Sequence, residues 1–347
     1  MAVRYEIIKE YEDFLSLQYA WNDLSKRSQA SSIFYTYEWV KAYLEKYEPE
    51  KKNNLSICVG YDQKTEYLIC IFPFVLIEDH IHFITEKGTD YSNLLLDKTM
   101  NHYDIIRDGI SFLIREMRIK GFILCNFPSS SELYILYEII RAKGYLTYLR
   151  DDQTTVLYHP GDCNKKENKK QISDLKRRCN HLNIEHQVKR ISAHILDEET
   201  LNFLIRVKNS VFENSPLKDP KCVEFYRYVF SNLGEKTLVN KLFIDGKLAA
   251  VHIGFEDENQ VYYYLTAYDR NYAKYAIGLA LLKEILDSNP SKVVDFLRGN
   301  ETYKYYWGDD VHMNYILLAE KNNWKGKLIT IIRKIKEGLH IVCSLNP

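Results

Sequence analysis

The sequence predicts an α/β fold with mixed sheets, divided into two domains, and three observations carry that expectation. The chain has 347 residues, beyond the roughly 250–300 at which a single hydrophobic core stops growing. Segments with apolar residues at three- and four-residue spacing alternate with short β-branched or alternating segments. The order helix, helix, hairpin, strand, helix, strand occurs approximately in both halves, as it does where sheets are layered with helices.

In the first half, residues 12–22 and 37–47 carry the helical spacing. Residues 55–61 and 67–77 are β-rich and joined by the polar turn DQKTE, which predicts a hairpin, and 80–85 adds a strand. An amphipathic helix over 103–120 stops at Gly121, and strand 122–127 follows. Ser130 and Ser131 cap a helix over 131–143 that stops at Gly144, and strand pattern returns at 145–149 and 154–158. A Pro160-Gly161 turn and a basic stretch, 165–190, mark the boundary, so the domains are expected at 1–160 and 161–347. That stretch holds nine Lys/Arg against three acids and is expected to be helical over 169–182. Helices at 198–212 and 223–233 come next, then strands 237–244 and 248–256 hinged by Asp245-Gly246. Strand 260–267, helix 277–287, strand 292–297 and strand 312–319 complete the domain before a terminal helix.

Composition excludes several classes. Forty-seven Lys/Arg balance 47 Asp/Glu, so the chain as a whole is no polyanion binder and DNA is not an expected partner. Seven cysteines, an odd number without CxxC spacing, read as free thiols of a reducing compartment rather than a zinc site. His80 and His82 share a strand face without a third ligand nearby, so no metal is expected. The N-terminal residues lack a signal-peptide core, and no apolar run approaches the ~20 residues that span a bilayer. The expected location is cytoplasmic or membrane-peripheral. The 28 tyrosines read mainly as compositional drift.

Chemistry concentrates in two stretches. VYYYLTAYDRNYAKYAIGLALL (261–282) is an aromatic strand, a polar loop and an apolar helix. A helix N-terminus presents unpaired N–H groups, a setting for phosphate, with Arg270 and Lys274 adding charge and Gly278 permitting close approach. An ordinary strand–helix turn with Gly278 packed on the sheet is the competing reading. VVDFLRGNETYKYYWG (293–308) is a strand ending in Asp295, Arg298, Glu301, Tyr303 and Lys304.

Together these stretches resemble a known family. L-x-x-D-G-K-x-A-A-x-x-x-x-F, Y-Y-Y-L-x-A-Y-D-x-x-Y-A-x-Y-x-x-G and D-F-L-x-G-x-E-x-Y-K-x-x-W, within 242–307, resemble the CelD/FemAB-like branch of the GNAT acyltransferase superfamily. WNDLSKRSQASSIFYTYEWV (21–40) resembles its N-terminal signature, GTDYSN (88–93) its Asp-Tyr motif, and 169–178 its basic helix. Ile277 stands where the family commonly has proline.

The resemblance implies two tandem GNAT-like domains. The second is then to bind acetyl-CoA or another acyl-CoA in a cleft where its strands splay, and the first is to help hold the acceptor. The donor wall falls on Thr266, Ala267, Tyr268, Arg270, Tyr272, Lys274, Tyr275, Gly278 and Leu279. Backbone N–H groups near Thr266 are expected to polarise the thioester carbonyl. Asp295 and Glu301 are the candidate general bases, and Asp295 has a competing reading as the cap of a turn or partner of an arginine. Tyr303 or Lys304 is expected to serve the leaving sulfur or oxyanion. Asp90, Tyr91, Asn93 and Arg298 are the expected acceptor-binding residues, with an Asx-type turn the alternative for the first three.

The activity implied is N- or O-acyl transfer to a small-molecule or glycan-precursor acceptor, such as an amino sugar of a cell-surface polysaccharide. One alternative is a Fem-type transferase using aminoacyl-tRNA to extend a peptidoglycan-type precursor. Another is a non-catalytic member that binds a glycan precursor or partner enzyme. The basic stretch reads as a solvated face, an anion-binding surface or a tRNA contact. Residues 324–342 form a basic amphipathic pattern, packed on its own domain or lying peripherally on a membrane.

Overall fold

In the computed structural model the described residues are 2–28, 32–161 and 169–332. The first half of the chain runs β1 (Val3–Ile8), α1 (Tyr11–Ser16), α2 (Gln18–Arg27), α3 (Tyr37–Ala42), β2 (Ile57–Asp62), β3 (Leu68–Phe72), β4 (Phe74–Ile77), β5 (His80–Phe83) and β6 (Leu95–Leu96). It continues with α4 (His102–Glu116), β7 (Gly121–Pro128), α5 (Leu133–Ala142) and β8 (Tyr145–Tyr158). The second half runs α6 (Lys169–Glu185), β9 (Val188–Ala193), α7 (Glu198–Val211), α8 (Pro220–Asn232), β10 (Thr237–Ile244), β11 (Lys247–Glu256) and β12 (Gln260–Tyr268). After these come α9 (Ile277–Ser288), β13 (Val293–Arg298) and β14 (Asp310–Lys321), then a helical turn segment α10 over 324–332. The α/β class with mixed sheets is thus what the chain adopts.

Two compact units result, and their bounds differ from the halves expected. Unit 1 comprises 1–44, 48–152 and 313–347, and unit 2 comprises 45–47 and 153–312. The physical reason is β14, which the sequence pattern assigns to the second domain. It pairs antiparallel with β7 from Asn314↔Pro128 to Glu320↔Gly121 and so belongs to unit 1.

Unit 1 holds a four-stranded sheet, β1-β2-β3-β6, and a second run ordered β4-β5-β7-β14 and the first part of β8. Its core is Phe72, Phe74, Phe83, Phe122 and Phe127 against Ile106 and Ile110 of α4 and Leu136 and Ile140 of α5. Asn101 caps α4 by accepting from the Asp104 N–H at 3.2 Å. The expected strand 67–77 is broken in two at Pro73, which cannot donate to a ladder. The expected helix 12–22 divides into α1 and α2 at Leu17.

Unit 2 orders its strands as the last part of β8, then β13-β12-β11-β10-β9. On one face, α9 and α6 cover Val156, Leu242, Val261 and Phe296 through Leu281, Leu282, Ile285 and Leu182. On the other, Phe230 of α8 stacks on Phe255 and Tyr226 meets Tyr264 edge-on. Asp197 caps α7 on the Thr200 N–H at 2.8 Å, and Pro220 opens α8 beside its Asp219 cap. Asp245 and Gly246 both take positive φ, 50° and 77°, and close β10 onto β11 as a two-residue hairpin loop. The cysteines at 58, 70, 125, 179 and 222 are free thiols; 163 and 343 lie outside the described residues, as do 333–342 of the expected terminal helix.

Candidate active site

The site in unit 2 originates in how β12 and β13 part. They pair in parallel only at Gln260↔Val293, Val261↔Val294 and Tyr262↔Asp295. Immediately beyond, each strand bulges against its outer neighbour. The β11–β12 register slips by one residue between Phe255↔Tyr262 and Ile253↔Leu265. The β13–β8 register slips between Asp295↔Leu157 and Arg298↔Thr155. A bulge bends its strand and sharpens the local twist, so two bulges at the same level open a V whose facing backbone edges no longer ladder with each other. The expected splay is present, and its origin is two inserted residues.

Asp295 holds the second bulge. It is 3% exposed. Its Oδ1 accepts from the Leu297 N–H at 2.7 Å and its Oδ2 from Gln260 Nε2 at 3.1 Å. Leu297 has φ 58°, a left-handed conformation unusual for leucine, and the carboxylate bond stabilises it. The structure therefore places Asp295 in the turn-capping role, not as a carboxylate open to substrate.

Lys304 is likewise turned inward. At 2% exposure, its Nζ donates to the carbonyls of Leu297, Arg298 and Gly299 at 3.2, 2.8 and 3.3 Å. It also lies 2.9 Å from Glu301 Oε2. Four acceptors surround three protons, so the ammonium is committed to closing the 297–304 turn. Gly299, at φ 127°, is required there twice over, because a Cβ would collide with the Glu301 carboxylate and the Lys304 ammonium. The expected catalytic lysine thus becomes the clasp of the turn that presents its neighbours.

Those neighbours are Tyr303 and Glu301. The Tyr303 ring meets Phe296 edge-on at 6.4 Å, and Phe296 meets Tyr263 at 5.8 Å. Burial, reinforced by the Glu301 charge, pushes the Tyr303 phenol far above its ordinary range, so it remains an O–H donor. Glu301 is more than half exposed. Lys208, near the C-terminal end of α7, was missed by sequence reasoning; burial lowers its pKa while Glu301 acts in the opposite direction. Its only sequence signal is a lysine one turn after Leu204 in a buried register.

The loop over 269–276 and the start of α9 form the other wall. Asp269 accepts from the Asn271 N–H at 2.9 Å. Ala276 takes φ 54° and leads into α9 without a side-chain cap. The first intrahelical bond runs from the Ala280 N–H to the Ala276 carbonyl at 3.0 Å, so the amides of Ile277, Gly278 and Leu279 have no helical acceptor. Gly278 sits under the Tyr268 ring, which a Cβ would meet at 3.0 Å, in keeping with the packing reading of that glycine. Tyr275 is 3% exposed and donates its hydroxyl to Glu185, with His186 Nε2 3.2 Å away. Arg178 Nη1 reaches the Lys274 carbonyl at 3.3 Å, and Lys274 Nζ pairs with Glu185 at 3.2 Å. The basic helix α6 therefore tethers this loop. Arg270 and Lys274 are exposed, Tyr272 and Leu279 half-buried, and Ala267 buried.

Across β12, His252 is buried and stacks flat on Tyr263 at 4.6 Å. Asn240 Nδ2 lies 3.1 Å from its Nδ1, and burial drops its pKa to about 3. Thr266 pairs with His252 in the ladder, and its side-chain hydrogen bond to Tyr263 opposes the upward push that burial gives the Tyr263 phenol.

Asp90, Tyr91 and Asn93 lie in unit 1, on a loop fixed by its own polar groups. Asn93 Oδ1 accepts from the Leu94 N–H at 2.8 Å, Thr89 Oγ1 donates to the Tyr91 carbonyl at 3.0 Å, and Asn314 donates to the Asp90 carbonyl at 2.9 Å. Asn126, at φ 58°, donates to the carbonyls of Glu86 and Thr89. Arg298 ends β13 and contributes its carbonyl to Lys304. Among the described residues no three metal-ligating side chains converge, and no helix is long and apolar enough to cross a membrane.

Residues 167–305 match the family model described as an acetyltransferase (GNAT) domain. No curated protein matches. Solved structures are similar in fold. The tandem GNAT protein from the clavulanic acid biosynthesis pathway has 11% identity and a TM-score of 0.51, over 93% of this chain and 99% of that one. FemX has 7% identity and a TM-score of 0.56, over 91% and 97%. L-PGS from Bacillus licheniformis has 11% identity and a TM-score of 0.51, over 85% and 96%. The tandem GNAT fold follows from these, and the likeness to FemX and L-PGS is one of fold.

Proposed function

We propose that this chain, whose second unit carries a GNAT acetyltransferase domain, transfers an acyl group from acyl-CoA to an amine or hydroxyl acceptor. The observation that carries the reading is the double bulge that parts β12 from β13 one residue beyond Tyr262↔Asp295. An extended pantetheine-like arm can add backbone hydrogen bonds along such an open edge. The first-turn amides of α9 offer donors and a positive dipole end to a pyrophosphate.

In this reading a strand amide at the β12 bulge stabilises the oxyanion formed as the acceptor nitrogen or oxygen adds to the thioester carbonyl. Glu301, exposed beside the turn, accepts the acceptor's proton. When the carbon–sulfur bond breaks, Tyr303 supplies a proton to the departing thiolate. Lys304 and Asp295 act by shape, fixing the turn and the splay. An amino sugar or related envelope precursor is the acceptor class to screen first.

The test is a thermal-shift titration with CoA, acetyl-CoA and longer acyl-CoAs. Stabilisation follows RT ln(1 + [L]/Kd), about 2.7 kcal/mol at a hundredfold excess over Kd. A saturable shift with acyl-CoA supports the reading. No shift with any CoA ester, combined with capture of aminoacyl-tRNA, would replace it by the transferase chemistry that uses a charged tRNA.

A further inference from the structure

The helix α10 is mounted with its apolar face outward. Its attachment to unit 1 is through small residues. Gly326 is buried, its N–H bonds to Asn323 Oδ1 at 2.9 Å, and a Cβ there would collide with the Lys321 carbonyl. Thr330, one turn on, donates to the Gly326 carbonyl at 2.8 Å and lines a small crevice with Leu146, Tyr148 and Leu318. These two residues are the side by which the helix rests.

The large apolar residues point elsewhere. Trp324, Leu328, Ile331 and Ile332 are 71%, 50%, 54% and 43% exposed. At about 100° per residue, they fall in one stripe roughly opposite the Gly326–Thr330 side, with Lys325 and Lys327 on its two flanks. An amphipathic helix of a water-soluble domain buries such a stripe. Over 324–332 the stripe is open to solvent. The charge beside it has one sign: from Lys321 to Lys336 there are six basic residues and no acidic one, in a chain whose charges sum to zero.

We propose that α10 is a docking element for an anionic lipid surface. An apolar stripe with tryptophan at one end and lysines on both flanks matches the boundary between acyl chains and negatively charged headgroups. Each lysine near such a surface adds to binding and is screened by salt. The proposal is independent of the donor chemistry of unit 2.

The test uses the full chain and vesicles of phosphatidylcholine with or without phosphatidylglycerol. Co-sedimentation with the anionic vesicles at low salt is expected, falling at least ~10-fold at 0.5 M NaCl, where the Debye length is under ~5 Å. Tryptophan emission should shift to the blue, because Trp324 is exposed while Trp21, Trp39 and Trp307 are buried. Leu328→Glu with Ile332→Glu should abolish both signals and leave the melting temperature and any CoA response unchanged, since both side chains are exposed. Absence of binding to anionic vesicles, or binding that survives the double substitution, overturns the proposal. So does concentration-dependent dimerisation that the double substitution removes, which would assign the stripe to a second copy of the chain.

Discussion

Replacing Lys304 by methionine separates the two roles this residue could have. The side chain is nearly isosteric and the site is closed, so the substitution removes the ammonium without leaving a large void. Three carbonyls lose their donor, those of Leu297, Arg298 and Gly299, and the turn is too tight for each to be rehydrated freely. Hydrogen bonds from a charged group contribute about 1.5–3 kcal/mol net, but bonds sharing one donor are not additive. Breaking a buried charged cluster by deleting one member costs about 3–5 kcal/mol. The Glu301 contact adds little, because that carboxylate is more than half exposed. For a unit of this size each kcal/mol shifts Tm by about 2–4 °C, so the drop should be roughly 6–20 °C by circular dichroism. A variant that melts within about 2 °C of the parent yet has lost turnover would refute the structural assignment and return Lys304 to the reaction itself.

Tyr303→Phe keeps the ring contact with Phe296 and removes only the hydroxyl; kcat should fall about 10²-fold or more with the melting temperature held, and retention of half the parent rate would remove Tyr303 from the proton-transfer role. His252 makes stability pH-dependent. Its folded pKa of about 3 lies below the ordinary histidine value of 6.5, so the unfolded chain takes the proton first. The contribution is complete above pH ~6.5 and is lost as pH falls from there towards 3. Between pH 7.5 and 5.5 the loss from this one group is about 1.4 kcal/mol. Urea midpoints at the two pH values should converge for His252→Gln relative to the parent, and an unchanged difference would show that the imidazole is already charged in the fold.

Much of the fold was legible in local pattern. The spacing in α9 and the Asp245-Gly246 hairpin have local causes, so β10 to α9 fell within a residue or two of expectation. What was hidden depends on partners distant in sequence. β8 reads as two strands because 150–153 is polar, yet it runs unbroken from Tyr145 to Tyr158. The sequence marks the R-G-x-E-x-Y-K cluster as a site but carries no sign that Lys304 folds back on its own turn. That reversal needs Gly299 at positive φ and three carbonyls aligned, a long-range consequence of the bulge at Leu297. His252 and Lys208 were illegible for the same reason, since each is shifted first by burial, which only the packed fold supplies.

The place of β14 has a consequence for synthesis. Unit 1 begins at the N-terminus, but in its strand order β14 lies between β7 and β8, and β14 begins only at Asp310. As the chain emerges, β7 and β8 are made with an open position between them while most of unit 2 is still to come. The exposed edges are the kind that recruit the wrong strand. The domain made first is therefore completed last, and a release of the nascent chain before residue 321 strands it with an unfilled sheet.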